Sequence, residues 1–132
     1  MQTRCYCAAL RAASRKTTAL YDEALAPAGI GVAQFSLMRR IERAGKPSLT
    51  EIARLAELDR STIGRNVRVL VRSGLVAETA AEDQRETAVA LTEAGAETLR
   101  RAAPLWNDAQ RRIEAALGGA GAEALRALAL SL

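Results

Sequence analysis

The sequence predicts a mainly α protein with a small α+β unit at its centre, and three patterns carry that prediction. Two short amphipathic helices joined by a tight break stand in the middle of the chain, the second with arginine on its polar side. Two short extended runs with a polar tip between them follow directly. Long helical tracts flank this unit on both sides. At 132 residues the chain has the length of one domain, which surface scaling expects to bury roughly 67% of its extended surface. Hydrophobic residues make up 49% of the sequence and aromatics only 3%, so the core must be built from Leu, Ala, Val and Ile. Such a core suits closely packed helices.

The first helix is expected from Cys7 to Ala26, a stretch without Gly or Pro and rich in good helix formers. Cys7, Leu10, Ser14, Thr17, Leu20 and Ala24 recur at helical spacing and form one small and apolar stripe. Pro27, Ala28 and Gly29 stop it. A second helix is expected from Ala33 to Ala44, with Phe35, Leu37, Met38 and Ile41 inside and Gly45, Lys46 and Pro47 at its end. Ser48 and Glu51 form a capping box that opens a helix from Leu49 to Ala56, with Ile52 and Leu55 facing inward. Asp59 is placed to cap the next helix, Arg60 to about Arg72, whose apolar stripe is Ile63, Val67 and Leu70.

Gly74 stops that helix, Leu75 and Val76 begin an extended run, residues 80–85 form a polar tip, and Thr87 to Leu91 returns as a second strand. A helix pair followed by such a ribbon is a winged helix-turn-helix, whose second helix fits a DNA major groove while the ribbon tip reaches the minor groove. Helix resumes after Thr92 and runs to about Leu117, with Leu99, Ala102, Trp106, Ala109, Ile113 and Ala116 on one side and a bend expected at Pro104. Gly118, Gly119 and Gly121 separate it from a final helix carrying Leu125, Leu128 and Leu132. A lone subunit would expose those leucines, so burial against a second copy is expected.

The formal net charge is +4, and its distribution says more than its total. Residues 39–72 hold nine basic and four acidic groups, whereas residues 73–132 hold six and nine. A basic middle third fits a polyanion such as DNA. The sequence contains no histidine, which excludes histidine acid/base chemistry, and it has no Gly-rich phosphate loop and no carboxylate pair placed for catalysis. The chain is therefore read as a non-enzyme with no catalytic residue. Its two cysteines, Cys5 and Cys7, supply too few ligands for a zinc site within one chain, and no cofactor is expected. No apolar run of membrane-spanning length and no signal-peptide block stands in the sequence, which leads to the expectation of a cytoplasmic protein with no membrane partner.

The stretch LDRSTIGRNVRVLVRSGLV at 58–76, followed by DQRETAVALTEAG at 83–95, resembles the recognition helix and wing of the MarR family of bacterial transcriptional regulators. The motifs Leu-x-x-x-Gly-Leu-Val, Asp-x-Arg and Leu-Thr-x-x-Gly occur in order at the family's separations. The resemblance covers essentially the whole chain. It implies one domain over 1–132, with a DNA-binding lobe at 33–91 and dimerisation helices at 1–32 and 92–132. It further implies a homodimer on double-stranded palindromic operator DNA, acting as a repressor. A cleft between the dimerisation helices and the DNA-binding lobe would take a small phenolic or other apolar effector, or an oxidant would be sensed there.

For DNA binding, Ser61 and Thr62 stand in the first turn of the recognition helix, where hydroxyls meet phosphate or base edges or else cap the helix. Arg65 is the expected base reader because a guanidinium can bind guanine O6 and N7 together. Arg60 and Arg68 share the polar side with it or lie at its margin, as DNA contacts or solvated charges. Asn66 is rotated toward the flank and either reads adenine or bonds locally. Arg72 approaches the backbone or remains in water, and Gly64 permits close approach or merely weakens the helix. In the family reading Arg85 enters the minor groove and Asp83 orients it. Glu86 would lie close to phosphate and oppose binding.

The segment from Cys7 to Ile30 also resembles the first helix of the family's organic-peroxide-sensing branch, with Cys7 at the reactive position and Tyr21 at a supporting one. Val32 stands where that branch has a second tyrosine, and no C-terminal cysteine is present. Cys7 is thus an organic-peroxide sensor or an inert residue of the dimer core, Cys5 is a possible resolving thiol, and the pair from two subunits would offer soft ligands to Cu(I). The competing function is a winged-helix protein-interaction module that does not bind DNA.

Overall fold

The computed structural model describes residues 4–80 and 86–131. Helix α1 spans Tyr6–Leu25 and passes through a single 3-10 turn at Ala26–Ala28 into α2, Val32–Ala44. Then come α3, Leu49–Ala56, α4, Arg60–Arg72, the strands β1, Val76–Ala80, and β2, Thr87–Leu91, and the long helix α5, Glu93–Ser131. Every element anticipated from the sequence is present, and most boundaries agree to within a residue. The fold is mainly α with one two-stranded antiparallel sheet, in the register Val76 to Leu91 through Ala80 to Thr87.

Local chemistry accounts for most of the helix limits. Pro27 and a left-handed Gly29 at φ 80° end the first helical run. Asp22 of α1 then accepts a hydrogen bond from the Val32 amide at 2.8 Å, which ties the start of α2 to α1. Ser48 Oγ accepts from the Glu51 amide at 3.1 Å and caps α3. Ser48 also bridges to Ala88, and the Val89 amide donates to the Pro47 carbonyl at 3.0 Å, so the start of α3 is held against β2.

The core joins the two regions. Leu25, Met38, Ile41, Ile52, Ile63 and Leu70 are all fully buried, and Leu99 and Ala102 of α5 close the cluster. A buried side chain of this kind contributes about 1.5–3 kcal/mol over its exposed state. The helix-turn-helix is therefore packed rigidly under the helices that flank it.

One expectation needs correction. Leu55 does not face inward but is 44% exposed. At about 100° per residue, Leu49, Ile52, Ala53 and Ala56 share one arc of α3 and Leu55 falls roughly 110° from its centre. Helical torsions continue through Pro104, and the break expected among Gly118, Gly119 and Gly121 falls at Gly118, with φ 74° and ψ 165°. Of these three, Gly118 alone adopts a backbone conformation that a side chain would oppose, and Gly119 and Gly121 continue as helix.

Candidate nucleic-acid interface

Helix α4 presents two faces. Ile63, Val67 and Leu70 are buried beneath it. On the opposite side Ser61, Arg65, Arg68 and Arg72 are all exposed, and their spacing confines them to an arc of about 60°. Arg60 lies about 110° to one side of that stripe and Asn66 about 130° to the other. Asn66 borders a groove formed with Leu37 and Val69, so the structure separates it from the arginine stripe. Gly64 is next to the stripe, and a Cβ there would meet only the Arg68 guanidinium at 3.8 Å.

The N-terminus of α4 is organised by Asp59. Its carboxylate accepts the Thr62 amide at 3.0 Å, the Thr62 hydroxyl at 2.6 Å and the Ser61 hydroxyl. These donors, Ser61 first and then Thr62, hold the Asp59 carboxyl far below the usual carboxylate range. Because the Thr62 hydroxyl donates to Asp59, its oxygen is left to accept, and Arg65 Nη2 donates to it at 3.3 Å. A relay from Asp59 through Thr62 thus orients Arg65 before any ligand arrives. Arg68 is restrained similarly, its Nε donating to the Gly64 carbonyl at 3.2 Å. Sequence reasoning identified Asp59 as a helix cap but did not connect it to Arg65.

The ribbon follows the same helix closely. Asp83 and Arg85 lie outside the described residues. Glu86 turns back toward α3, accepting the Thr50 hydroxyl at 2.6 Å. Hydrogen bonds from Thr50 and then Ser48, followed by the charge of Arg60, lower its carboxyl below the ordinary range despite some opposing desolvation. At the far end of β2, Thr92 Oγ donates to the Gly74 carbonyl at 2.6 Å and accepts the Gly95 amide at 3.0 Å. The Leu-Thr-x-x-Gly motif is therefore the joint that locks the end of α4, the exit of the ribbon and the start of α5 together.

A cavity of about 210 Å³ lies between α2 and α5, lined by Phe35, Ser36, Arg39, Arg40, Arg43 and Trp106. Phe35 stacks on Trp106 with ring centroids 5.7 Å apart, and the Arg39 guanidinium lies 5.6 Å from the Phe35 ring centre. Arg39 Nε is buried with no hydrogen-bond partner. Tyr21 stacks on the other side of this ladder, 6.4 Å from Trp106, and donates its hydroxyl hydrogen to Gln110. Burial, and secondarily the charge of Glu114, raises the Tyr21 phenol above its ordinary value. Cys7 is exposed at the start of α1, about 21 Å along the helix from Tyr21, so one protomer does not bring the two together. The three arginines at Arg39, Arg40 and Arg43 were visible in the sequence, but nothing local linked them to Trp106.

A capped helix pair, an arginine stripe on the exposed side of its second helix and a ribbon anchored to both define a winged helix-turn-helix protein. The profile of the MarR family matches residues 28–86. The chain is similar to the M. tuberculosis transcriptional regulator MosR in complex with DNA, with 33% identity over 96% of this chain and 92% of that one and a TM-score of 0.86. It is also similar to a probable transcriptional regulator from Pseudomonas aeruginosa, at 28% identity, 90% and 89% coverage and a TM-score of 0.80. For a mutant MarR from E. coli complexed with operator DNA the corresponding values are 25%, 90%, 86% and 0.82. A comparison with curated protein sequences gives no match. The chain belongs to the MarR family of winged helix-turn-helix transcriptional regulators, which are not enzymes. Among the described residues no helix is long and apolar enough to cross a membrane, and no group of three or more potential metal ligands is found.

Proposed function

We propose that this protein is a homodimeric, sequence-specific DNA-binding repressor whose two α4 helices enter successive major grooves of a palindromic operator. The observation that carries the reading is the stripe of Ser61, Arg65, Arg68 and Arg72 on the exposed face of a buried-core helix, with Arg65 already oriented. The DNA complexes of the similar MosR and MarR proteins support it. Residues 33–91 form the DNA-binding lobe and residues 1–32 and 92–132 the dimerisation helices. Tyr6 and Leu130 are 86% and 90% exposed in the single chain, and Leu10, Leu117 and Leu125 are also exposed, which is the apolar surface a second copy would cover.

Light scattering is expected to give about 28 kDa, twice the 14.1 kDa of one chain. Fragments selected from the source genome should bind with an affinity that falls steeply as salt rises. A well-folded monomer at micromolar concentration overturns the dimer. A folded dimer that binds no duplex overturns the repressor and favours the protein-interaction module.

Effector release is assigned to the cavity between α2 and α5. An aromatic floor of Phe35 and Trp106 beside three guanidinium groups suits a small phenolic or other aromatic molecule that carries negative charge. Trp106 is the one tryptophan of the chain, so an aromatic carboxylate should quench its fluorescence and lower operator affinity together. Arg39→Gln should weaken both responses. Oxidation of the exposed Cys7 is the second route to release. Unchanged operator affinity after organic peroxide has demonstrably oxidised Cys7 removes that route.

A further inference from the structure

We propose that Glu86 is a specificity-determining positioning residue, whose carboxylate fastens β2 to the N-terminus of α3 through Thr50 and so sets the angle at which the ribbon meets DNA. The inference rests on the DNA-binding reading and goes beyond it, because Glu86 is an acidic group beside a DNA-binding surface. Simple electrostatics assigns such a group the role of repelling phosphate.

The geometry favours positioning. The Glu86 carboxylate accepts the Thr50 hydroxyl at 2.6 Å across 36 positions of sequence. Ser48, the cap of α3, and the charge of Arg60 at the start of α4 also help to lower this carboxyl below its ordinary range. An anion at the first turn of a helix is also favoured by the unpaired amides and dipole there. The contact lies beside a backbone seam, Ser48 against Ala88 and the Val89 amide on the Pro47 carbonyl at 3.0 Å. Without Glu86 this seam is short, so the ribbon would pivot about it. The same hydroxyls and amides would be a ready position for a phosphate. The carboxylate occupies that position and trades one phosphate contact for a fixed ribbon.

Three variants separate positioning from repulsion. Glu86→Gln keeps an acceptor oxygen for Thr50 and loses the charge, Glu86→Ala loses both, and Thr50→Ala breaks the contact while leaving the charge. Each is titrated with a selected operator and with the same duplex trimmed to the segment under the α4 helices. Glu86→Ala and Thr50→Ala should each bind the full duplex about five- to tenfold more weakly, and the trimmed one within about twofold of the parent. The double variant should lose no more than either single one. Glu86→Gln should keep the parent's ratio between the two duplexes. Tighter binding of Glu86→Ala on both duplexes, or parent-like behaviour of Thr50→Ala, overturns the proposal.

Amide hydrogen exchange in the free protein tests the clamp without DNA. The Val89 amide should exchange faster in Glu86→Ala and Thr50→Ala, and unchanged exchange overturns the proposal. If the parent binds neither duplex, the DNA-binding reading fails and the specificity role falls with it, while exchange still reports whether the clamp exists.

Discussion

Gly95→Ala is expected to destabilise the protein by at least about 3 kcal/mol, the upper end of the ordinary cost of overpacking. A Cβ at position 95 would stand 2.0 Å from the Leu75 carbonyl oxygen and 3.0 Å from its carbon. The obstacle is backbone, so no rotamer change relieves it. Leu75 cannot simply retreat, because its carbonyl accepts the Thr92 amide at 3.1 Å and its own amide donates to Leu70 at 3.0 Å. Moving α5 instead would pull Thr92, at its start, off the Gly74 carbonyl. The gain in helix propensity from Gly to Ala is only about 1 kcal/mol and does not compensate. Urea denaturation checks this directly, with Gly64→Ala as control. There the added Cβ makes ordinary contact at 3.8 Å, and a gain of about 1 kcal/mol is expected. Equal stability of Gly95→Ala and the parent would show that α5 does not meet Leu75 this closely.

Arg65→Ala should abolish major-groove discrimination, with a loss of roughly 1–3 kcal/mol against a changed guanine in each half-site. Two-fold symmetry applies the loss twice on a palindrome. The size follows from pre-organisation, since the relay from Asp59 through Thr62 orders the guanidinium before binding. Thr62→Val, which breaks the relay and keeps the arginine, should produce a smaller loss of the same kind. Arg85→Ala is expected to act differently, weakening preferred and altered sites alike, with any sequence effect confined to A·T-rich flanks. A minor-groove arginine reads width and charge more than base identity. Titrations on matched operator variants across a salt series, after dimerisation is verified, distinguish the two. Uniform loss for Arg65→Ala together with lost guanine preference for Arg85→Ala would reverse the proposed docking.

The parts of this protein that could be read from its sequence are those decided within a turn of helix. Asp59 and Ser48 announced the starts of α4 and α3 because a cap and its amide are three residues apart. Ile63, Val67 and Leu70 announced the buried face of α4 because helical periodicity is a local property. The opposite face, with Ser61, Arg65, Arg68 and Arg72, follows from the same arithmetic. Leu55 was misplaced because an eight-residue helix offers too few positions to distinguish neighbouring arcs. Gly118, Gly119 and Gly121 announced the break in α5, and only the backbone torsions show that Gly118 carries it.

The sequence by itself thus determined the helices, most of their inward stripes, the ribbon and the family motifs. Tertiary structure alone decided what those motifs do at a distance. It turned Glu86 onto Thr50, brought Phe35 of α2 against Trp106 of α5, joined Tyr21 to Gln110 across 89 positions, and set Gly95 against the Leu75 carbonyl. The physical reason is that caps and periodicities are satisfied by neighbours along the chain. Clamps, cavities and close backbone approaches exist only once the packing of distant elements has chosen which atoms meet.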